Sequence, residues 1–533
     1  MPGTAALDTE QLYDLIVIGG GITGAGVARD AALRGLSTLL LEKRDFASGV
    51  SSKTTRLIHG GLRYLANFEL DLVAESLRER AILRRQAPYL IHPIPILIPI
   101  YKGDPHGRAI ISFGIRLYDL LSHDKDIPHY FTSNRKKTLF YEPHLNPEGL
   151  AGSALFFDHQ ILLPERLVIE NIISAREAGA SVLNYHRVER IEEEDTAVTL
   201  TVRDVQAART LTVRTKVVIN AGGPWIDEVR KSGGINDARV IHPTKGIHLV
   251  LPRLSDQALF VSSRDGRMFF IIPFGRSSLI GTTDTNYTGD LDEVHANAGD
   301  VNYLLAESRR VLPGLNLTRE RISYTYAGIR PLAFSGPRES KISRKHRVIR
   351  EGRTGRIITI AGGKYTTYRN MAKDAVSAVC RLLGKGSQCA TDKNTLPGGI
   401  SGEYAAYLDE AVPQLSSLYR TDEATVSHLI SLYGTRAERV LELCREDPGL
   451  ALPVSPESRD IYAQVAYSAA EEGARTLSDI VLRRMHLGIT ATRGEKFAEK
   501  IAQVAAPELG WSKEESAARV QEFKDDLKKE RNF

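Results

Sequence analysis

Three glycines spaced Gly19-x-Gly21-x-x-Gly24, with a carboxylate, Glu42, about twenty residues further on, are suited to binding a dinucleotide. The first glycine allows a tight turn out of a strand, the second lets backbone approach a pyrophosphate, and the third lets the next helix pack close to the sheet. N–H groups at the start of that helix face the diphosphate. Glu42 accepts from the ribose hydroxyls and repels a 2′-phosphate. The three cysteines, Cys380, Cys389 and Cys444, show neither paired nor metal-ligand spacing, so no metal is expected.

These residues act only if the right elements carry them. The apolar run Asp14-Leu-Ile-Val-Ile18 predicts a strand, Gly35 suits a helix C-terminus, and Thr38-Leu-Leu-Leu-Glu42 predicts the second strand of a β-α-β unit. A helix is expected from about Asn67 to Gln86, with Leu70, Val73, Leu77 and Ala81 on one stripe, stopping before Pro88. The following run, with Pro93, Pro95 and Pro99, reads as sheet edges or loops. A helix with proline at its start, from Pro164 to Ala178, leads into a strand from Ser181 to His186 and alternating runs at 198–203 and 210–214. Strands at 216–220 and 356–360 then meet the turns Ala221-Gly-Gly-Pro-Trp225 and Ala361-Gly-Gly-Lys-Tyr365, where backbone can meet a ligand. Residues 241–343 read as a largely antiparallel second domain. From about 400 the pattern is helical, which suits a docking or capping domain, and the charged stretch Lys524 to Arg531 is expected in solvent.

A chain of 533 residues exceeds what one core supports, so two or three domains are expected. The cysteine usage suggests a reducing compartment. Asp8 and Glu10 precede the first strand, so no signal peptide is expected, and no apolar stretch is long enough to span a bilayer. The net charge of +5 permits attraction to an acidic membrane surface or an anionic substrate, and nothing points to a nucleic-acid partner.

Glycine-rich turns recur near the start, the middle and about residue 362, a discontinuous arrangement that suits FAD better than NAD. The series Ile16 to Gly26, Ser51-Ser-Lys-Thr-Thr-Arg-Leu-Ile-His-Gly-Gly-Leu-Arg-Tyr64, Asn220-Ala-Gly-Gly-Pro-Trp225, Gly281-Thr-Thr-Asp284, Gly328-Ile-Arg-Pro-Leu332 and Gly362-Gly-Lys-Tyr-Thr-Thr-Tyr-Arg369 resembles, in order and spacing, the motifs of FAD-dependent glycerol-3-phosphate dehydrogenases. The resemblance is strong over residues 12–385 and weaker in the helical tail. Gly222 stands where that family commonly has threonine, and Thr54-Thr55-Arg56 departs mildly from its pattern.

The resemblance implies an α/β fold: a discontinuous, Rossmann-like FAD-binding domain of the glutathione-reductase/D-amino-acid-oxidase type, a mainly antiparallel substrate domain and a C-terminal α-helical domain. The FAD domain is expected at 1–75, 164–240 and 344–390, the substrate or cap domain at 76–163 and 241–343, and the helical domain at 391–533. FAD, held noncovalently, is expected to meet Gly19, Gly21, Gly24, Glu42, Ser51, Ser52, Thr55, Gly60, Gly61, Val188, Gly222, Gly362, Gly363 and Thr366. His59, beside the Gly60-Gly61 pair, is not expected to carry a covalent flavin.

The implied reaction is oxidation of sn-glycerol 3-phosphate to dihydroxyacetone phosphate, with hydride passing from C2 to flavin N5 and electrons passing to a membrane quinone. A glycerol-3-phosphate oxidase using oxygen would share every motif, and a flavin-binding scaffold without turnover is a further alternative. His248 is the candidate general base, Arg330 and Lys364 stabilise the alkoxide, and Arg63, Tyr64 and Arg344 bind substrate. Three of them have a structural alternative: a salt bridge for Arg330, a core histidine for His248, and a solvated position for Arg344 in the basic run Lys341 to Arg350. Quinone access implies a cytoplasmic protein held peripherally on the inner face of the membrane, and a homodimer is allowed. Arg78, Arg80, Arg84 and Arg85 on one helix, with Arg108 and Arg116 beside Ile110-Ile-Ser-Phe113, are the candidate contacts with an anionic surface, a solvated helix face being the alternative.

Overall fold

Residues 13–18 and 38–41 are buried throughout, as parallel strands covered on both faces must be: Leu15, Val17 and Leu40 pack among helical residues such as Ala28 and Val376, and Ile16, Leu39 and Leu41 against Ile191, Leu200 and Val202. The computed structural model describes residues 8–62, 64, 69–104, 107–122, 128–334, 342–343 and 345–533. In chain order, the first elements are β1 (Leu12–Ile18), α1 (Ile22–Leu33), β2 (Thr38–Leu41), β3 (Leu57–Ile58), α2 (Leu70–Gln86) and β4 (Ile91–Tyr101). Next come α3 (Arg108–Leu121), β5 (Phe131–Asn134), α4 (Arg135–Tyr141), β6 (Leu150–Ile161) and α5 (Pro164–Glu177). They are followed by β7 (Ser181–Leu183), β8 (His186–Glu193), β9 (Val198–Asp204), β10 (Arg209–Asn220) and α6 (Ile226–Ser232). The next stretch holds β11 (Ile241–Pro252), β12 (Ala258–Ser262), β13 (Met268–Phe274), β14 (Ser277–Gly281), β15 (Thr285–Asn286) and α7 (Ala298–Val311). β16 (Tyr324–Phe334), β17 (Ile342–Ser343), β18 (Arg347–Glu351), β19 (Ile357–Ala361) and α8 (Tyr368–Leu383) complete the sheets and their helices. The tail is helical: α9 (Tyr404–Tyr419), α10 (Glu423–Tyr433), α11 (Ala437–Glu446), α12 (Tyr462–Ala470), α13 (Leu477–Arg483), α14 (Ala498–Leu509) and α15 (Lys513–Lys529).

The first sheet runs β18-β19-β10-β1-β2-β7, with β9 and β8 continuing antiparallel from β10. Its four central pairings are parallel, and their register sets Ile18 beside Asn220 and Asn220 beside Thr359. Three glycine-bearing turns, at Gly19, at Gly222 and at Gly362-Gly363, therefore emerge side by side at the carboxyl edge. α1 packs on both α5 and α8, and Gly35 closes it at positive φ.

The second sheet runs β17-β16-β11-β14-β13-β12-β4-β6-β3, antiparallel except where β12 meets β4. Here the proline-rich run departs from expectation, because it forms the long strand β4 rather than an edge or loop. Pro93, Pro95 and Pro99 stand an even number of residues apart, so all three missing N–H groups fall on one edge. Pairing with β6 accordingly continues from Ile91 to Tyr101, whereas β12 pairs only at Ile96 and Leu97. Helix α7, opened by a capping box on Asn297 and Asp300, was not foreseen in the antiparallel segment.

Two charge assignments also change. Arg80 does not face outward: it is fully buried on α2, 2.5 Å from Asp158 and 2.6 Å from Ser122 Oγ. Leu70, expected on the apolar stripe of that helix, is exposed. The stretch from Lys524 to Arg531 lies only partly in solvent: Asp525, Lys528 and Lys529 are exposed as expected, whereas Leu527 is buried and Glu530 and Arg531 are ion-paired. Tail and first sheet are joined by buried charge, since Asp45 takes Arg484 Nη1 and Nη2 at 2.6 and 2.8 Å and Arg483 Nε at 2.5 Å.

Candidate functional site

At the carboxyl edge of the first sheet a cavity of about 720 Å³ runs from Glu42, Val188 and Trp225 at one end to His59, His248 and Arg330 at the other. Its glycines are there for space. Gly19 has φ +108°, and a Cβ on it would stand 2.7 Å from the Ala221 carbonyl oxygen. On Gly24 a Cβ would stand 1.8 Å from the Gly19 carbonyl oxygen, so α1 can lie against β1 only if residue 24 is glycine. Gly21, the N-cap of α1, meets nothing closer than Ser51 Oγ at 3.2 Å, and its free side is the cavity. That bare backbone at a helix N-terminus fits a diphosphate.

Beside it, Glu42 accepts from Gly20 N at 2.6 Å and Arg44 N at 2.8 Å, and burial pushes its carboxyl pKa upward. Ser51 Oγ accepts from Ile22 N at 2.9 Å, whereas Ser52 Oγ turns back to the Gly49 carbonyl. Gly222 N donates to Asn220 Oδ1 at 3.2 Å, which fixes this turn without the hydroxyl of a threonine. Lys43 lies 4.2 Å over the Trp225 ring and 2.8 Å from Asp292, so a loop of the second sheet is clasped over this end. The buried Trp225 indole nitrogen has no protein partner among the described residues, as expected where a ligand completes the wall. The set fits the nucleotide half of FAD.

The far end is built by a different set of contacts. Gly60 N donates to Tyr118 Oη at 2.8 Å, and that hydroxyl donates to Asp158 at 2.7 Å. The buried Arg80–Asp158 pair thus holds the Gly60-Gly61 turn. Thr366 Oγ1 accepts from His59 N at 3.3 Å, which joins the Gly60-Gly61 turn to the Gly362-Gly363 turn, and Gly61, Gly362 and Gly363 all have positive φ.

His248 sits on β11 opposite Tyr326 of β16, whose ring stacks on it at 4.8 Å. Its Nε2 lies 3.0 Å from Thr55 Oγ1, while Nδ1 is buried without a partner among the described residues. Thr55, expected against the cofactor, lines the cavity and also bonds the histidine. Burial, with Arg330 and Arg56 nearby, holds the His248 pKa well below 6.5, so the ring is a neutral acceptor near pH 7. Arg330 lines the same cavity and spreads its fork over Thr282 Oγ1 at 2.8 Å, the Thr283 carbonyl at 2.9 Å and Asp284 at 3.1 Å. Lys364 donates to Ser76 Oγ at 2.9 Å and stands 3.8 Å over the Tyr64 ring. The structure thus brings His248, Arg330, Lys364 and Tyr64 to the lining of one cavity. Arg63 and Arg344 lie outside the described residues.

Among the cavity residues, Lys53, Trp225 and Asp292 escaped the sequence argument, as did Tyr326, which stacks on His248. Lys53 and Trp225 stand inside the quoted motifs and carried that signal, whereas Asp292 and Tyr326 are defined only by partners in distant segments. Burial and then Arg493, Arg483 and Arg56 draw the Lys53 ammonium pKa down to about 7.

Comparison with known proteins agrees with this geometry. Residues 14–369 match the family model for FAD dependent oxidoreductases, and residues 389–516 match that for the C-terminal domain of alpha-glycerophosphate oxidase. A glycerol-3-phosphate dehydrogenase of a Synechocystis strain is 40% identical, covering 96% of this chain and 95% of that protein. An aerobic glycerol-3-phosphate dehydrogenase of Staphylococcus saprophyticus is 35% identical, covering 96% and 94%. The crystal structure of the Bacillus halodurans glycerol-3-phosphate dehydrogenase complexed with FAD superposes with a TM-score of 0.81 at 31% identity, covering 98% of this chain and 96% of that one.

Proposed function

Because the chain belongs to the FAD-dependent oxidoreductase family, and within it aligns over nearly its whole length with glycerol-3-phosphate dehydrogenases, we propose that it oxidises sn-glycerol 3-phosphate at C2 and passes the electrons to a membrane quinone. The observation that carries this reading is that one cavity is lined both by the glycine turns and Glu42 that fit a dinucleotide and by one neutral imidazole and two cations, His248, Arg330 and Lys364. Bound FAD supplies the acceptor for the hydride that leaves C2.

The other half of the reaction is a proton and charge problem, and it falls to this chain's residues. His248, held neutral by burial and oriented by Thr55 and Tyr326, takes the C2 hydroxyl proton. Arg330 presents a planar fork suited to a phosphate or a developing alkoxide. Lys364, fixed by Ser76 and Tyr64, adds a point charge in the same cavity. The Lys43–Asp292 clasp holds the nucleotide end closed.

The quinone reading is supported by the outward face of α3. Ile110, Phe113 and Leu120 are 60%, 70% and 79% exposed, and they lie on one stripe of a helix whose opposite face buries Ile115 and Tyr118. Phe140, 81% exposed on the following helix, adds to the apolar surface, and Arg108, Arg116, Arg135, Lys136 and Lys137 are exposed on the same two helices. Such a face fits interfacial docking on an anionic bilayer. No helix among the described residues is long and apolar enough to cross a membrane.

An anaerobic stopped-flow experiment tests the proposal. Glycerol 3-phosphate should bleach the flavin and glycerol should not, and quinone should restore the colour much faster than oxygen. Bleaching by both substrates would refute the phosphate requirement, and rapid recovery with oxygen alone would make the protein an oxidase.

A further inference from the structure

The wall behind His248 is held by a residue from the far end of the chain. Glu530, just past α15, places Oε1 2.6 Å from Lys53 Nζ and pairs its other oxygen with Arg493. Its carbonyl accepts from Thr325 N at 2.8 Å and from Thr325 Oγ1 at 3.1 Å. Each anchored residue stands next to a group that touches the base. Thr325 precedes Tyr326, whose ring stacks on His248 and whose hydroxyl donates to the Thr54 carbonyl at 2.8 Å. Lys53 precedes Thr54 and Thr55, and Thr55 Oγ1 is the hydrogen-bond partner of His248 Nε2.

Space leaves this loop little alternative. A Cβ on Gly328 of β16 would stand 2.8 Å from Lys53 Cβ, so loop and strand are already in close contact. The Lys53 ammonium lies 5.8 Å over the Tyr326 ring, and Arg493 lies 4.5 Å over that of Tyr324. Two cations and two segments therefore converge on one carboxylate. The end of the chain is itself fixed, with Arg531 paired to Glu495 at 2.5 Å and Phe533 under Arg319.

We propose that Glu530 is a positioning residue of the reaction centre: by tying Lys53 and β16 together it sets Thr55 and Tyr326 around His248. It touches neither substrate nor cofactor. Its removal loosens the orientation of the base, which acts on the rate of the chemical step rather than on binding, because small displacements at a reacting group cost far more rate than affinity.

This inference rests on the oxidation of glycerol 3-phosphate proposed above, and single-turnover flavin reduction of the FAD-loaded protein separates the two. If glycerol 3-phosphate fails to reduce the unmodified protein, the functional reading falls. If it succeeds, Glu530→Gln should slow reduction about tenfold or more, with FAD content unchanged and half-saturation by substrate within about twofold. Lys53→Met should slow it similarly, and the double variant should be no slower than the slower single one, since both act through one contact. A wild-type rate in Glu530→Gln, or two losses that multiply, overturns the proposal. Should Glu530→Gln retain no FAD, Lys53→Met carries the test alone, and a wild-type reduction rate in it overturns the proposal.

Discussion

Gly21 and Gly24 stand three residues apart in one fingerprint, yet replacing them by alanine should fail in different ways. At position 24 the new methyl would lie 1.8 Å from the Gly19 carbonyl oxygen, backbone against side chain with nothing flexible to yield. Relieving it requires more than an ångström of movement between α1 and β1, and α1 is already packed against α5 and α8. Gly24→Ala should therefore cost the folded protein about 3 kcal/mol or more, at or above the upper end of overpacking penalties. At position 21 the nearest atom is Ser51 Oγ at 3.2 Å, and the backbone is extended at φ −75°, which alanine adopts freely. Gly21→Ala should leave apo stability within about 1 kcal/mol, because a weaker N-cap and a stiffer unfolded chain roughly offset each other. It should nevertheless weaken FAD binding about tenfold or more, since the methyl stands where backbone must approach the diphosphate. Urea melts of the FAD-free proteins measure the first effect without the stabilisation that bound ligand adds, and FAD titration measures the second. Equal apo stability in both variants, or full FAD affinity in Gly21→Ala, would refute the separation of packing from cofactor approach.

His248→Gln should slow flavin reduction about a hundredfold, and because burial and the Arg330 and Arg56 charges lower the imidazole pKa, the acid limb in the unmodified protein should fall below pH 6.5. An acid limb above 6.5, or an undiminished rate in the variant, would demote His248 to a packing residue. Arg330→Lys keeps the charge but loses the fork over Thr282 and Asp284, so half-saturating glycerol 3-phosphate should rise about tenfold with FAD content unchanged. Arg484→Met leaves buried Asp45 with only Arg483 and Asn184 and should cost about 3–5 kcal/mol in denaturant melts. Although burial opposes ionisation of Asp45, the two guanidiniums lower its pKa, so this stabilisation is present above about pH 4 and disappears on acidification below it; an unchanged acid midpoint in the variant would contradict that. Replacing Phe113 and Leu120 by glutamate should abolish flotation with anionic vesicles while single-turnover reduction by glycerol 3-phosphate continues, and unchanged flotation would exclude α3 as the docking face.

The nucleotide end of the site was legible in the linear sequence because its signals are local. A strand, a glycine turn, a helix and a second strand ending in Glu42 lie within thirty-one residues, and each element is specified by its own apolar pattern. Alternation of α/β and antiparallel segments, and the helical tail, were readable for the same reason. The prolines of β4 misled because a local rule assigns them to edges, whereas their even spacing confines their effect to one side of the strand. The reaction end is another matter. Thr55 and His248 meet across 193 residues, and Lys53 and Glu530 across 477. An arginine on a helix has the same local pattern whether it is solvated or buried on a carboxylate from another segment, so only the tertiary structure moved Arg80 from an outward face to the support of Gly60. Likewise the charged end of the chain, polar by composition, reaches the wall behind His248 only because Lys53, Arg493 and Thr325 are gathered where Glu530 arrives. Periodicity encodes which face of an element is apolar; which charges find partners depends on contacts that exist only after the elements have packed.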